Sequence, residues 1–381
     1  MKTGHSGTAY LAASEQDYRR FGVPESGIEL YEDGARTDGS PGGFEWWYFD
    51  AHLDDGATLV VVFMTKPLTE VGGGLAPTIR IDLLMPDGTA VNRIGHWQPS
   101  EYYASSEHCD VRIGDNVFHG DLHRYNIRAK VDDVEVEIQL NGQLLPWRPE
   151  TGYMLFQREA RERYLGWFVA VPQGKVMARY SVGGNERQVG GIGYHDHNWG
   201  DRALPRLIHN WYWARGQAGP YSVIAAMVTS HADFMHAPIP TFMLAKDGVV
   251  IADDATKVNF SASNVHIDDL TGKPVAGVTR YEWSDDLTRY VITFTHRKDL
   301  VRSPMVDRLP CLKRCIAKLI GFDGAYHRFL GELRIEHFEG DRLVEVQTND
   351  AVWELMYLGR NMPVRAEVPS QYTRDRAAFG R

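Results

Sequence analysis

Cysteine is scarce, with three residues, Cys109, Cys311 and Cys315, among 381. So low and odd a number excludes a disulfide framework, and Cys311 and Cys315, four apart on a helix-like pattern, read as reduced core thiols. Long apolar runs are also missing. No stretch approaches the ~20 apolar residues of a membrane-spanning helix. Met1 to Arg20 lacks the apolar core of a secretory signal, and a cytoplasmic location is expected. There is no excess of positive charge either. A net charge of −9 excludes the basic surface that nucleic-acid phosphates require. No Gly-x-Ser-x-Gly elbow, dinucleotide fingerprint or P-loop occurs, which weighs against serine hydrolases, nicotinamide enzymes and phosphoryl transfer.

What is present is an ordinary globular balance of 43% hydrophobic and 24% charged residues. The length suggests two domains, at roughly 100–200 residues each. A boundary near Gly216 to Tyr221 gives domains 1–215 and 216–381. Short alternating or β-branched segments recur: Thr58 to Phe63, Ile79 to Leu84, Val134 to Leu140, Val223 to Val228, Tyr290 to Thr295 and Leu343 to Val346. Turn signals separate them, among them Asp55-Gly56, Asp87-Gly88, Asn141-Gly142, Asp247-Gly248 and Glu339-Gly340. The fold class that follows is all-β and mainly antiparallel, built as barrels or sandwiches. One exception is a helix expected over 307–320, where Leu309, Leu312, Ile316 and Leu319 recur at helical spacing before Gly321. Between Arg297 and Arg328, eight basic residues face three acidic ones. That excess suits peripheral contact with an anionic membrane surface, and equally a solvated helix packed on a barrel.

Aromatic residues reach 11%, with ten Trp, and they cluster. The segment Gly190 to Gly200, GGIGYHDHNWG, is the densest mixture of ionisable and aromatic side chains. Its glycines disfavour a helix. On a strand, Tyr194, Asp196 and Asn198 share one face, and His195, His197 and Trp199 the other. Phe44 to Asp50 divides likewise into Glu45, Trp47 and Phe49 against Trp46, Tyr48 and Asp50. A third aromatic strand places His209, Trp211 and Trp213 together. Such strands suit a cavity for an apolar small molecule, with Glu45 as a rare charge in it. Indoles stabilise a cation by roughly 0.5–2 kcal/mol per contact, and an apolar wall raises a carboxylate pKa. Protonation of an alkene needs both. Two imidazoles at His195-x-His197 also fit a metal, although no third ligand lies nearby in sequence.

With these segments quoted, FEWWYFDAHLDDG at 44–56, GYHDHNWG at 193–200 and AVWELMYLG at 351–359 together resemble the carotenoid 1,2-hydratase (hydroxyneurosporene synthase) superfamily. That superfamily is lipocalin-like and includes hydratases of prenylated phenolics and pericyclases. The resemblance runs from about Gly43 to Gly359. It implies two lipocalin-like β-barrel domains, an apolar ligand cavity and no metal or organic cofactor. It further implies a hydratase or cyclase acting on an isoprenoid or polyene, or else a [4+2] pericyclase. A lipid or pigment carrier is the non-catalytic alternative. By the same resemblance Asp196 is the proton donor and Tyr194 tunes it. In the hydratases a His-x-Trp pair lies nearly thirty residues upstream; here Leu165-Gly166-Trp167 keeps only the Trp. The expected substrate-binding set is Glu45, Trp47, Trp167, His195, His197, Asn198, His209, Trp211 and Trp213.

Overall fold

The computed structural model describes residues 6–305, 322–362 and 367–368. The chain divides into two compact units, Met1–Leu207 and Ile208–Arg381. The division falls at 207/208, where the sequence suggested 215/216. Strands Ile208–Ala218 and Tyr221–Ser230 form one antiparallel hairpin within the second sheet, and a cut at 216 would run through it.

The first unit is a thirteen-stranded antiparallel sheet. Its middle runs in space from Ala90–His96 through Thr78–Leu84, Thr58–Met64, Phe44–Leu53, Asn185–Gly200 and Arg161–Val182 to Val134–Gly142 and Arg124–Val131. The sheet curls until Ala90–His96 approaches Arg124–Val131, and Arg93 pairs with Asp133 beyond that strand at 2.7 Å. Alternation explains the curl. In Arg124–Val131 every second residue is buried and its neighbours are exposed. The buried set, including Trp47, Phe49, Phe63, Phe118, Tyr125 and Phe168, fills the concave side. Each fully buried large apolar side chain contributes roughly 1.5–3 kcal/mol.

The second unit is a ten-stranded antiparallel sheet. Its order runs from Val249–Ala252 through Pro238–Lys246, Tyr221–Ser230, Ile208–Ala218, Arg342–Tyr357, Ala325–Glu339, Thr288–Pro304, Pro274–Ser284 and Val258–Ile267 to Glu367–Val368. It has its own core, which includes Tyr212, Phe242, Tyr281, Phe294, Phe329 and Trp353. All six expected strand segments lie within observed strands. Gly56, Gly88, Gly248 and Gly340 take left-handed φ of 88°, 87°, 83° and 57° at the expected turns, which glycine adopts without a Cβ clash.

Asn141-Gly142 is a correction. It continues strand Val134–Gly142, because Asn141 is flanked in register by Arg124 on one side and Lys175 on the other, and the ladder carries on through it. Among the described residues the α-helix is Glu15–Phe21. Ser14 caps it, Asp17 returns the capping bond, and Gly22 at φ 65° ends it. The helix expected over 307–320, with Cys311 and Cys315, lies outside the described residues. Of the basic stretch, Arg297 and Arg302 lie on strand Thr288–Pro304. Arg297 pairs with Glu332 and Asp350, and Arg302 with Asp268 and Asp269. No helix among the described residues is long and apolar enough to cross a membrane.

Candidate active site

Strand Asn185–Gly200 lies between Phe44–Leu53 and Arg161–Val182, hydrogen-bonded to both. Register sets Tyr194 opposite Asp50, Asp196 opposite Tyr48 and Asn198 opposite Trp46 on one side. On the other, Trp167 is opposite Asn198 and Val169 opposite Asp196. Directly opposed residues share a face. Tyr194, Asp196, Asn198, Trp167, Tyr48 and Asp50 therefore gather on the side away from the first unit's core.

On this face Asp196 is 7% exposed and makes no ion pair with a Lys or Arg among the described residues. Trp167 Nε1 donates to its Oδ2 at 2.9 Å and the Tyr194 hydroxyl to the same oxygen at 2.8 Å. Asn198 Nδ2 donates to Oδ1 at 2.8 Å. Burial raises its pKa, the Asp50 charge adds to that, and the hydrogen bonds and His195 pull the other way; the carboxyl ends at about 7. Tyr194 is fully buried, and burial with the Asp196 and Asp50 charges pushes its phenol well above the usual range. The phenol therefore remains a donor at any working pH. Two bonds occupy Oδ2 and one occupies Oδ1. A carboxylate has about four acceptor positions, so the remaining one, on Oδ1, is where the acid's proton sits.

The opposite face turns into the filled core. His195 places Nε2 3.0 Å from Asp33 Oδ2 and Nδ1 2.9 Å from the Tyr48 carbonyl oxygen. Both partners accept, so both ring nitrogens donate and the imidazole is a cation. Burial alone would lower its pKa, but Asp33 raises it. For Asp33, burial pushes upward and is outweighed by His195, His197 and the Tyr125 hydroxyl at 2.6 Å, so its carboxyl lies below the usual range. His197 donates from Nε2 to Glu45 Oε1 at 2.8 Å. Glu45 also accepts from Arg36 N at 2.6 Å, Thr37 N at 2.9 Å and Thr37 Oγ1 at 2.8 Å. The Trp47 ring stacks on His197 at 4.5 Å, and its Nε1 donates to the Asp33 carbonyl at 3.1 Å. Gly166 sits directly across from Trp199. A Cβ there would meet the indole at 2.2 Å, so glycine is what lets that ring lie over the strand.

The expected site residues thus separate. Tyr194, Asp196, Asn198 and Trp167 come together, whereas Glu45, Trp47, His195 and His197 lie on the core side, His197 bonded to Glu45 and stacked on Trp47, and His195 and Trp47 each bonded to Asp33. Trp211 and Trp213 are half-buried on the second unit, and Trp211 Nε1 donates to Glu354 Oε1 at 3.0 Å. His209 was expected beside them. A register irregularity after Ile208 sets it apart, and it is buried 2.7 Å from Asn210 Oδ1 and 2.6 Å from the Arg360 carbonyl. As for metals, His195 and His197 aim Nε2 at different carboxylates. The donor sets close enough for an ion among the described residues are Asp33, Cys109 and His195, and His108, Asp110 and His119. Asp33 is already held by His195 and Tyr125, and Asp110 by a two-point pairing with Arg112. Sequence reasoning missed Asp33, Asp50 and Tyr125. Asp33 lies 162 positions from His195, and no local pattern connects them.

Residues 37–299, well over half of the chain, match the family model described as Diels-Alderase-like. The chain belongs to the Diels-Alderase-like family. With that membership the expected lipocalin-like kinship holds at this level. A quinolone epoxide rearrangement protein of Emericella nidulans is 26% identical over 193 residues, 48% of this chain and 53% of the relative. Another, of Penicillium thymicola, is 34% identical over 55 residues, 14% of this chain and 15% of the relative. The chain spans about half, or less, of the length of these curated relatives. Among solved structures, CghA with Sch210972 superposes with a TM-score of 0.59 at 14% identity, covering 87% of this chain and 96% of that one. Kievitone hydratase from Nectria haematococca gives 0.51 at 13% identity, covering 93% and 98%. These likenesses show the fold: this Diels-Alderase-like chain shares the curled antiparallel sheets of both.

Proposed function

We propose that this chain catalyses proton-initiated chemistry on an apolar, unsaturated small molecule, with Asp196 as the general acid. One observation carries the reading. A buried carboxyl with no basic side chain paired to it among the described residues, held by Trp167, Tyr194 and Asn198, keeps its proton to about pH 7. That is the poise a general acid needs near neutrality. In the hydration or cyclisation of an isoprenoid or polyene, the proton leaves Oδ1 for an alkene carbon. The π pair becomes the new C–H bond, and the neighbouring carbon becomes a cation. Asp196 is left as a carboxylate whose charge the three donors stabilise. Water, or a second double bond, then attacks the cation, and the surplus proton returns to Asp196. If the substrate is an epoxide, as the names of the quinolone epoxide relatives suggest, the same proton goes to the ring oxygen and a C–O bond breaks.

The reading is tested by turnover in heavy water and by Asp196→Asn. Alkene protonation must place solvent deuterium on carbon, and Asp196→Asn must cut product formation by roughly a hundredfold or more while the protein stays folded; an unimpaired Asp196→Asn enzyme overturns the assignment. The family name favours a second reading, a pericyclase that joins two parts of a polyene by holding them in contact. Its product carries no solvent deuterium. Recovery of unchanged ligand after long incubation would instead mark a carrier.

A further inference from the structure

Away from Asp196, the first unit holds a second place where hydrogen-bonding capacity is left unmet. A cavity bounded by Phe21, Arg36, Arg148, Tyr153, Phe168 and Trp199 is wide enough for one water-sized species. Two guanidinium groups reach it. The Arg148 side chain is 6% exposed, pairs with Glu32 at 3.3 Å and donates to the carbonyls of Gly27 and Pro24. Its Nε is buried and has no acceptor. Arg36 Nη2 is buried without an acceptor as well, while its guanidinium carbon lies 5.3 Å from the Tyr31 ring centre. A buried N–H without a partner is costly enough that native proteins nearly always fill the gap with water or an ion.

Charge decides which. Glu32, the carboxylate on the cavity wall, is matched by Arg148, and Arg36 makes no ion pair among the described residues. The lining residues therefore carry one positive charge in excess, and Arg36, Arg148 and Trp199 among them each hold a buried N–H without an acceptor. We infer that this cavity binds a single small inorganic anion of chloride size, held by Arg36 Nη2 and Arg148 Nε. Its location gives the anion a role. Arg36 follows the turn Leu30–Asp33, which supplies both Glu32 and the Asp33 carboxylate that anchors His195. An anion joining Arg36 to Arg148 clamps that turn onto the sheet.

The test is thermal unfolding of the full chain at fixed ionic strength, with chloride replacing gluconate. Chloride should raise the midpoint saturably by about 2–4 °C, and Arg36→Gln should abolish the rise. Coincident midpoints in the two salts would mean that water fills the cavity, and an undiminished rise in Arg36→Gln would place the anion elsewhere; either overturns the proposal. Should Arg36→Gln fail to fold, crystals of the unsubstituted protein grown in bromide decide the matter. An anomalous peak within hydrogen-bond distance of both Arg36 Nη2 and Arg148 Nε is expected, and its absence refutes the site.

Discussion

The two faces of strand Asn185–Gly200 handle buried charge in opposite ways. On the core side, His195 and His197 are each matched to a carboxylate, and burial is offset by pairing. On the other side, Asp196 is buried beside neutral donors and a second carboxylate, and burial is offset by keeping the proton. The first solution holds structure together. The second suits the proposed general acid, because a carboxyl poised near 7 gives up its proton readily to a substrate. Residues one position apart in sequence thus receive different roles from a period-two geometry alone.

Several substitutions separate the two faces. The largest effect is expected at Asp196. Asp196→Asn should lower turnover roughly 10²–10⁴-fold with a far-UV spectrum and melting cooperativity like those of the parent, measured in parallel. A comparable loss of stability would mean that this face, too, is structural. Next comes Asp33→Ala, which leaves His195 buried without its anion. Urea unfolding should show a loss of roughly 3–5 kcal/mol, as expected when one partner of a buried pair is removed. A loss under about 1 kcal/mol would show that the core network is not a stabilising device.

The pH dependence of stability distinguishes the faces again. An unfolded Asp titrates near about 3.9, and Asp196 in the folded chain at about 7. Because the folded value is raised, its contribution is fully present below about pH 4 and is lost as pH rises through 7, on the order of 4 kcal/mol in all. Asp33 is shifted the other way, so its contribution is present above the unfolded value and is lost as pH falls through its lowered folded pKa. His195 is raised, so its share is present below about 6.5 and fades as pH rises through its folded value. Asp196→Asn should flatten the stability profile between pH 4 and 7 while leaving the acid limb, set in part by Asp33, in place. Unfolding midpoints across pH would check this, and an unchanged slope between 4 and 7 would remove the raised pKa from the account.

The smallest effect expected is that of Trp167→Phe. It deletes one donor to the ionised form of Asp196, so the alkaline limb of the rate profile should move to higher pH, with stability changed by about 1 kcal/mol. A profile shifted to lower pH would show that the indole favours the protonated acid instead.

Much of this arrangement was legible in the residues. Alternation in Phe44–Leu53 and Asn185–Gly200 correctly separated carboxylate from imidazoles, because side-chain direction in a strand follows from backbone geometry. Turns at Gly56, Gly88, Gly248 and Gly340 were legible from their dipeptides. Asn141-Gly142 carries the same signal and is not a turn, since pairing on both sides overrides local preference. The expected binding set put Glu45, Trp47, His195 and His197 against the ligand, and nothing in the sequence showed that their side faces a packed core. Which face is filled depends on how Phe118, Tyr125 and Phe63 arrive from distant strands.

By itself, then, the sequence determined the all-β architecture, the alternation of the two faces and the concentration of chemistry between Gly190 and Gly200. These follow from local periodicity and composition. Tertiary structure alone decided that Asp33 neutralises His195 and that Trp167 Nε1 reaches Asp196. It also decided that the imidazoles lie inside while the acid lies outside. Those outcomes depend on contacts between residues far apart in the chain, and on the desolvation that only the packed fold imposes.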